Sequence, residues 1–252
     1  MSCKALNNLF FSPSLWKYLF IPDKAHQSFL ITLISRTRCG IRTIVASDIK
    51  ADIVTEILKT DATEIRLLNM MEITLPQIPQ KVKRLDLHSL FVTRTNLTFM
   101  MGSNLLELHL LLNIVPDVLI ELKRNCLHLR SVTLGNCSSV SNNDILNFIG
   151  RDTEWKYLAL LGAKNVNDVA LQEMALRDIK DLILHSCHLI TDSGINNLAQ
   201  SKYLQWIKVI ACRGLSLAAF DNTSFEGTLE CVMKYSDFVN GKILAKTFLL
   251  IN

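Results

Sequence analysis

Long hydrophobic runs are missing from this chain: every apolar stretch breaks off before the roughly 18 residues that a membrane-spanning helix needs. A mean hydropathy of +0.25 therefore points to an interior core, with no membrane partner expected. The N-terminal stretch MSCKALNNLFFSPSLWKYLF is interrupted by Ser12, Pro13 and Lys17, so it does not read as a secretory signal. Blocks of like charge are missing too. The 27 basic and 23 acidic residues, net +4, are spread along the sequence, which argues against a nucleic-acid groove or a polybasic membrane patch. No C-x-x-C pair occurs, and seven cysteines are an odd number, so the thiols read as reduced and the location as cytoplasmic or nuclear. The G-x-G-x-x-G, P-loop, H-E-x-x-H and G-x-S-x-G patterns are all lacking. The expectation is a non-catalytic protein with no cofactor and no metal.

What is present is a core and a repeat. The chain has 252 residues, 49% of them hydrophobic, enough for one large domain or one repeat array. An apolar residue followed by others three and five positions later recurs eight times. The clear copies are Val82/Leu85/Leu87, Leu105/Leu108/Leu110, Leu129/Val132/Leu134, Trp155/Leu158/Leu160, Ile179/Leu182/Leu184 and Leu204/Ile207/Val209. Two weaker ones precede them, Ile41/Ile44/Ala46 and Ile65/Leu68/Met70. Their starts are 24, 17, 23, 24, 26, 24 and 25 residues apart. All but one spacing falls in the roughly 20–29-residue period of leucine-rich repeats. The implied fold class is α/β: a leucine-rich-repeat solenoid of about eight repeats, with parallel strands on the concave face and helices or irregular crossovers on the convex face.

Helix starts follow several strands. Ser141 or Asn142, Asn167, and Thr191 or Asp192 supply N-cap oxygens before apolar residues at helical spacing. Pro76 and Pro79 predict an extended crossover in the 17-residue copy. Eight positions after each first apolar residue stand Asn113, Cys137, Ala163, Cys187 and Cys212, a ladder of small or amide side chains suited to turning the chain into the next copy. The spacing of these thiols favours core packing over metal binding. In the tetrad His185 to His188, His185 is expected to face outward and Cys187 inward, which disfavours chelation by both.

The segments CHLITDSGINNLAQ (Cys187 to Gln200) and CLHLRSVTLGNCSSVSNNDI (Cys126 to Ile145) resemble the cysteine-containing leucine-rich repeats of F-box proteins. The resemblance covers residues 41 to 213. A second likeness precedes it: SCKALNNLFFSPSLWKYLFI resembles the last third of an F-box, with Pro13, Leu15, Trp16 and Leu19 at matching positions. The first two thirds of an F-box, which hold the ligase adaptor, would lie before Met1. The resulting organisation is 1–40, a partial F-box-like helical segment and N-terminal cap; 41–213, leucine-rich repeats; and 214–252, a non-repeat C-terminal cap or tail. The resemblance implies substrate recognition within an SCF-type E3 ubiquitin ligase, with adaptor and cullin partners if an F-box is completed upstream, and ubiquitin transfer left to those partners. The alternative it implies is a free-standing scaffold, as in the F-box-less mitotic-exit antagonist family or the mitochondrial ATP synthase subunit s family.

In each copy, positions three, five and seven of the strand should point to the concave side. Those expected to bind a protein or peptide are Arg84, Asp86, His88, Glu107, His109, Tyr157, Asp181, His185, Trp206 and Lys208, with Thr133, Gly135 and Ala159 on the same face. The charged ones read as a solvated polar surface of mixed sign. Exposed Tyr157 and Trp206 beside charged neighbours match the composition of interaction hot spots.

Overall fold

Leucine, isoleucine and valine at every second position make each short segment a strand with one apolar face, and that face is what the structure buries. The structure, a computed structural model, describes residues 17–22, 27–37, 39–70, 77–88, 104–216, 219, 228–232 and 247–250. It is an α/β protein in which parallel strands alternate with helices. The chain divides into two compact units, one of residues 1–112 with 124–129 and one of 113–123 with 130–252.

The first unit contains β1 (Tyr18–Ile21), α1 (Gln27–Arg36), β2 (Thr43–Ser47), α2 (Ala51–Leu58), β3 (Glu64–Leu68), β4 (Arg84–His88) and β5 (Glu107–Leu111). Each strand pairs in parallel with the next. Two rows of in-register residues run across them, Leu19–Ile44–Ile65–Leu85–Leu108 and Ile21–Ala46–Leu67–Leu87–Leu110. No member is more than 5% exposed, so each strand completes the cover of its neighbour. Fully burying one such side chain stabilises by roughly 1.5–3 kcal/mol.

This register corrects one frame of the repeat. Ile44 and Ala46 lie opposite Ile65 and Leu67, which lie opposite Leu85 and Leu87. The second copy is therefore Ala62/Ile65/Leu67, not Ile65/Leu68/Met70. Ala62 is 1% exposed, but as a small residue it gave too weak a signal to mark a start. The spacings of 24 and 17 become 21 and 20, so the one outlying spacing disappears. Residues 77–83 of the crossover that follows contain no helix; Pro76 lies outside the described residues.

The second unit contains the residues of α3 (Pro116–Asn125) up to Lys123, then β6 (Ser131–Leu134), α4 (Asn142–Ile149), β7 (Trp155–Leu161), α5 (Asp168–Ala175), β8 (Ile179–His185), α6 (Asp192–Leu198), β9 (Trp206–Ile210), β10 (Thr228–Val232) and β11 (Thr247–Leu250). β6 to β10 are parallel, and β11 returns antiparallel to β10. Its buried rows are Val132–Leu158–Leu182–Ile207 and Leu134–Leu160–Leu184–Val209, at most 1% exposed. Sheet pairing therefore begins before residue 41, at β1, and continues past Arg213 through β10.

A turn chemistry common to both units closes the strands. Asp48, Asn69, Asn136, Ser186 and Ala211 adopt φ between 36° and 56°, and Gly162 adopts 67°. Each stands seven residues after the first apolar position of its copy, counted from Ala62 for Asn69. After β6, β8 and β9 the residue that follows the left-handed one is a ladder cysteine. Cys137, Ala163 and Cys187 are fully buried and Cys212 is 3% exposed. Asn113 does not join them. It is exposed, its side chain accepts a hydrogen bond from Asn136, and Leu112 is the buried residue at that turn. Leu112 stands where the other copies described at this turn have a left-handed residue, a conformation leucine resists.

The helices of the second unit start where side-chain oxygens can cap them. Ser141 and Asp144 form a reciprocal capping box, Asn167 accepts from the amides of Val169 and Ala170, and Thr191 accepts from Ser193. The residue after each cap reaches into the following copy, the first two to its cap. Asn142 bonds Asn167, with Nδ2 donating at 2.8 Å. The Asp168 carboxylate accepts from Thr191 N at 2.8 Å and Oγ at 2.6 Å, and the Asp192 carboxylate accepts from Ser216 N at 2.8 Å and Oγ at 2.5 Å. Gly194 sits where a Cβ would come within 2.3 Å of Asp168 Oδ1. The T-D-x-G turn is thus one rung of a polar ladder between successive helices. No helix among the described residues is long and apolar enough to cross a membrane.

Candidate partner-binding face

The strand residues that alternate with the buried rows share the opposite face, and in the first unit they assemble a charge network. Across β3, β4 and β5 the register sets Glu64, Arg84 and Glu107 in one row and Arg66, Asp86 and His109 in the next. Arg84 grips Asp86 with both arms of its guanidinium, Nε to Oδ1 at 3.1 Å and Nη2 to Oδ2 at 3.3 Å, while its Nη1 donates to Glu107 Oε2 at 3.1 Å. On the other side Arg66 Nε stands 3.2 Å from Asp86 Oδ2, an ion-pair contact not aligned as a hydrogen bond. His109 Nε2 lies 3.9 Å from Asp86 Oδ1.

Asp86 is therefore not the exposed residue that alternation implies. It is 6% exposed, because two arginines and a histidine close over it. A buried carboxylate is tolerable when paired in this way. Burial opposes ionisation of Arg84, yet the Asp86 hydrogen bond and the charges of Asp86, Glu107 and Glu64 raise its pKa above the ordinary range. Sequence reasoning missed Arg66 and Glu64, since the misplaced frame put them off the face; starting that copy at Ala62 would have found both.

His88 and His109 titrate below the ordinary histidine range because burial outweighs the pull of Asp86. Their neutral forms are favoured in the fold, so the unfolded chain binds protons first as pH drops below about 6.5. Stability from these histidines is present above that value and is lost as pH falls through their folded pKa values. The expected result is a melting temperature that declines from pH 7 to pH 5, with a shallower decline in the His88→Gln/His109→Gln double variant. An identical slope in that variant would refute the assignment.

The second unit builds a different surface from the same pattern. Ser131, Tyr157, Asp181 and Trp206 form one in-register row, and Thr133, Ala159, Ile183 and Lys208 the next. Tyr157, Asp181, His185, Trp206 and Lys208 are all half-buried. Thr133, Gly135 and Ala159, expected on the open face, are buried, since small side chains lie below the taller ones around them. Lys208 Nζ stands 5.9 Å from the Trp206 ring centroid, and the His185 ring Nδ1 is 3.1 Å from Ser186 Oγ. Burial raises the Asp181 carboxyl above its ordinary range, with the Lys180 charge opposing.

The ladder thiols Cys137, Cys187 and Cys212 are buried away from this face. Cys187 N donates to Cys212 Sγ at 3.4 Å, and Cys187 Sγ donates to the His185 carbonyl at 3.7 Å. The hydrogen bond with Cys212, then burial, pushes the Cys187 thiol up, and burial pushes Cys137 up to about 12. Such thiols are poor nucleophiles. No group of three or more potential metal ligands occurs among the described residues. On the helix side, Leu119, Ile120, Lys123, Asn147 and Phe148 line a small cleft whose Lys123 ammonium donates to the Asn147 carbonyl. Of the F-box-like positions, Leu19 is a buried residue of β1, and Pro13, Leu15 and Trp16 lie outside the described residues. No known family model matches the chain, and no match is found among curated proteins.

Proposed function

We propose that this chain is a leucine-rich-repeat solenoid that holds a protein partner on its strand face, as the substrate-recognition part of an SCF-type E3 ubiquitin ligase or a truncated relative. The observation that carries binding is the contrast between the two faces of each strand array. One is apolar and at most 5% exposed, while the other presents half-buried aromatic and charged side chains from Arg66 to Glu107 and from Tyr157 to Lys208. Mixed charge suits a folded protein or peptide better than nucleic acid or membrane. The ligase role is supported by the two sequence likenesses, and the repeat reading also by the buried Cys137, Cys187 and Cys212 at equivalent turns. The chain itself performs no chemistry in this role; ubiquitin transfer falls to partner subunits, in the cytoplasm or nucleus.

Affinity purification of the tagged chain from cells should recover the adaptor and cullin subunits together with a substrate. Recovery of a stable partner without either subunit would sink the ligase role and support a free-standing scaffold. One observation favours that second reading: Leu19, part of the F-box-like segment, serves as an interior residue of β1 paired to β2.

A further inference from the structure

In the second unit the row Tyr157, Asp181, Trp206 sets a carboxylate between two aromatic side chains on adjoining strands, which in a sheet stand about 4.8 Å apart. All three are half-buried on the face opposite the apolar rows. Of the described residues, only the charge of Lys180 acts on Asp181. Among the described residues no hydrogen bond or ion pair reaches it, and the adjacent Lys180 is engaged with Glu154 at 2.5 Å. Asp86, the more deeply buried acid on the corresponding strand face of the first unit, is by contrast enclosed by two arginines. Trp206 already carries an ammonium over its ring, that of Lys208, so the ring's electron-rich face accepts a cation.

We propose that Tyr157, Asp181 and Trp206 form a subsite for a single cationic side chain, arginine or lysine, presented by a protein partner. The inference rests on the reading of the strand face as partner-binding and gives that face its chemistry. A half-buried carboxylate without a partner is costly, and an entering guanidinium or ammonium relieves that cost while the rings flank it. Arginine fits best, because its planar fork can both stack on a ring and pair with a carboxylate. Lys208 competes for the Trp206 face and repels a second cation, so its removal should strengthen binding.

The test is a titration of the full chain with N-acetyl-arginine amide, N-acetyl-lysine amide and the uncharged N-acetyl-citrulline amide. The readout is the indole N–H resonance of Trp206, assigned with a Trp206→Phe variant. Saturable shifts are expected with both cations and none with the citrulline compound. Asp181→Asn should weaken binding about tenfold and Lys208→Met should tighten it, neither lowering the melting temperature. A response to the citrulline compound equal to that of the cations, or full affinity in Asp181→Asn, overturns the subsite. The titration contains no partner protein, so its outcome is independent of whether purification recovers ligase subunits.

Discussion

Trp155→Ala should destabilise the protein by about 4 kcal/mol, the range found when a buried tryptophan is truncated. Trp155 is the first apolar residue of its copy and is 2% exposed. Its indole N–H donates to the Ile149 carbonyl at 2.9 Å, and its ring lies against Phe148 with centroids 5.3 Å apart. The residue thus joins the end of α4 to the start of β7. Removing it opens a cavity beneath α4 and strands the Ile149 carbonyl without its donor. Trp155→Phe restores most of the ring packing but not the hydrogen bond, and should cost only about 1–2 kcal/mol. Urea unfolding of both variants checks this; equal costs would mean that the hydrogen bond, not the packing, dominates.

The second large effect is expected at Gly214. A Cβ there would lie 2.2 Å from the Ile190 carbonyl oxygen and 3.3 Å from that of His188. Both are backbone atoms, and Ile190 is fully buried, so neither can swing aside. Gly214→Ala should therefore cost about 3 kcal/mol, at the upper end of overpacking. Gly194→Ala is the informative comparison. Its Cβ would meet Asp168 Oδ1 at 2.3 Å and Leu171 Cδ1 at 2.9 Å, both ends of side chains. Asp168 can move away, but doing so gives up its two bonds to Thr191, so about 1–2 kcal/mol is expected, near the cost of losing a helix cap. If Gly214→Ala were neutral, the docking of residues 214–216 against the preceding turn would be wrong.

The Gly214 contact also bears on where regular structure ends. The apolar pattern stops at Arg213, yet Gly214 packs on Ile190, Ser216 bonds Asp192, and β10 adds in parallel to β9. A period read from leucines is blind to a strand whose companions lack the full apolar triplet. It is equally blind to Ala62, which fills a buried position with a methyl group.

The sequence by itself determined the alternation of strands and helices, the cap Asn167, a choice of two neighbouring residues for each of the other two caps, the burial of Trp155, and the inward ladder of Cys137, Cys187 and Cys212. These follow from local rules, in which side chains alternate along a strand and a short oxygen-bearing residue caps a helix. Tertiary structure alone decided which side chains meet across strands. The closure of Arg66 over Asp86, the carboxylate of Asp181 between two rings, and the reach of Asp168 to Thr191 join residues about 20 or more positions apart. Register sets these contacts, and register depends on how neighbouring apolar rows interlock, which no single copy of the pattern contains.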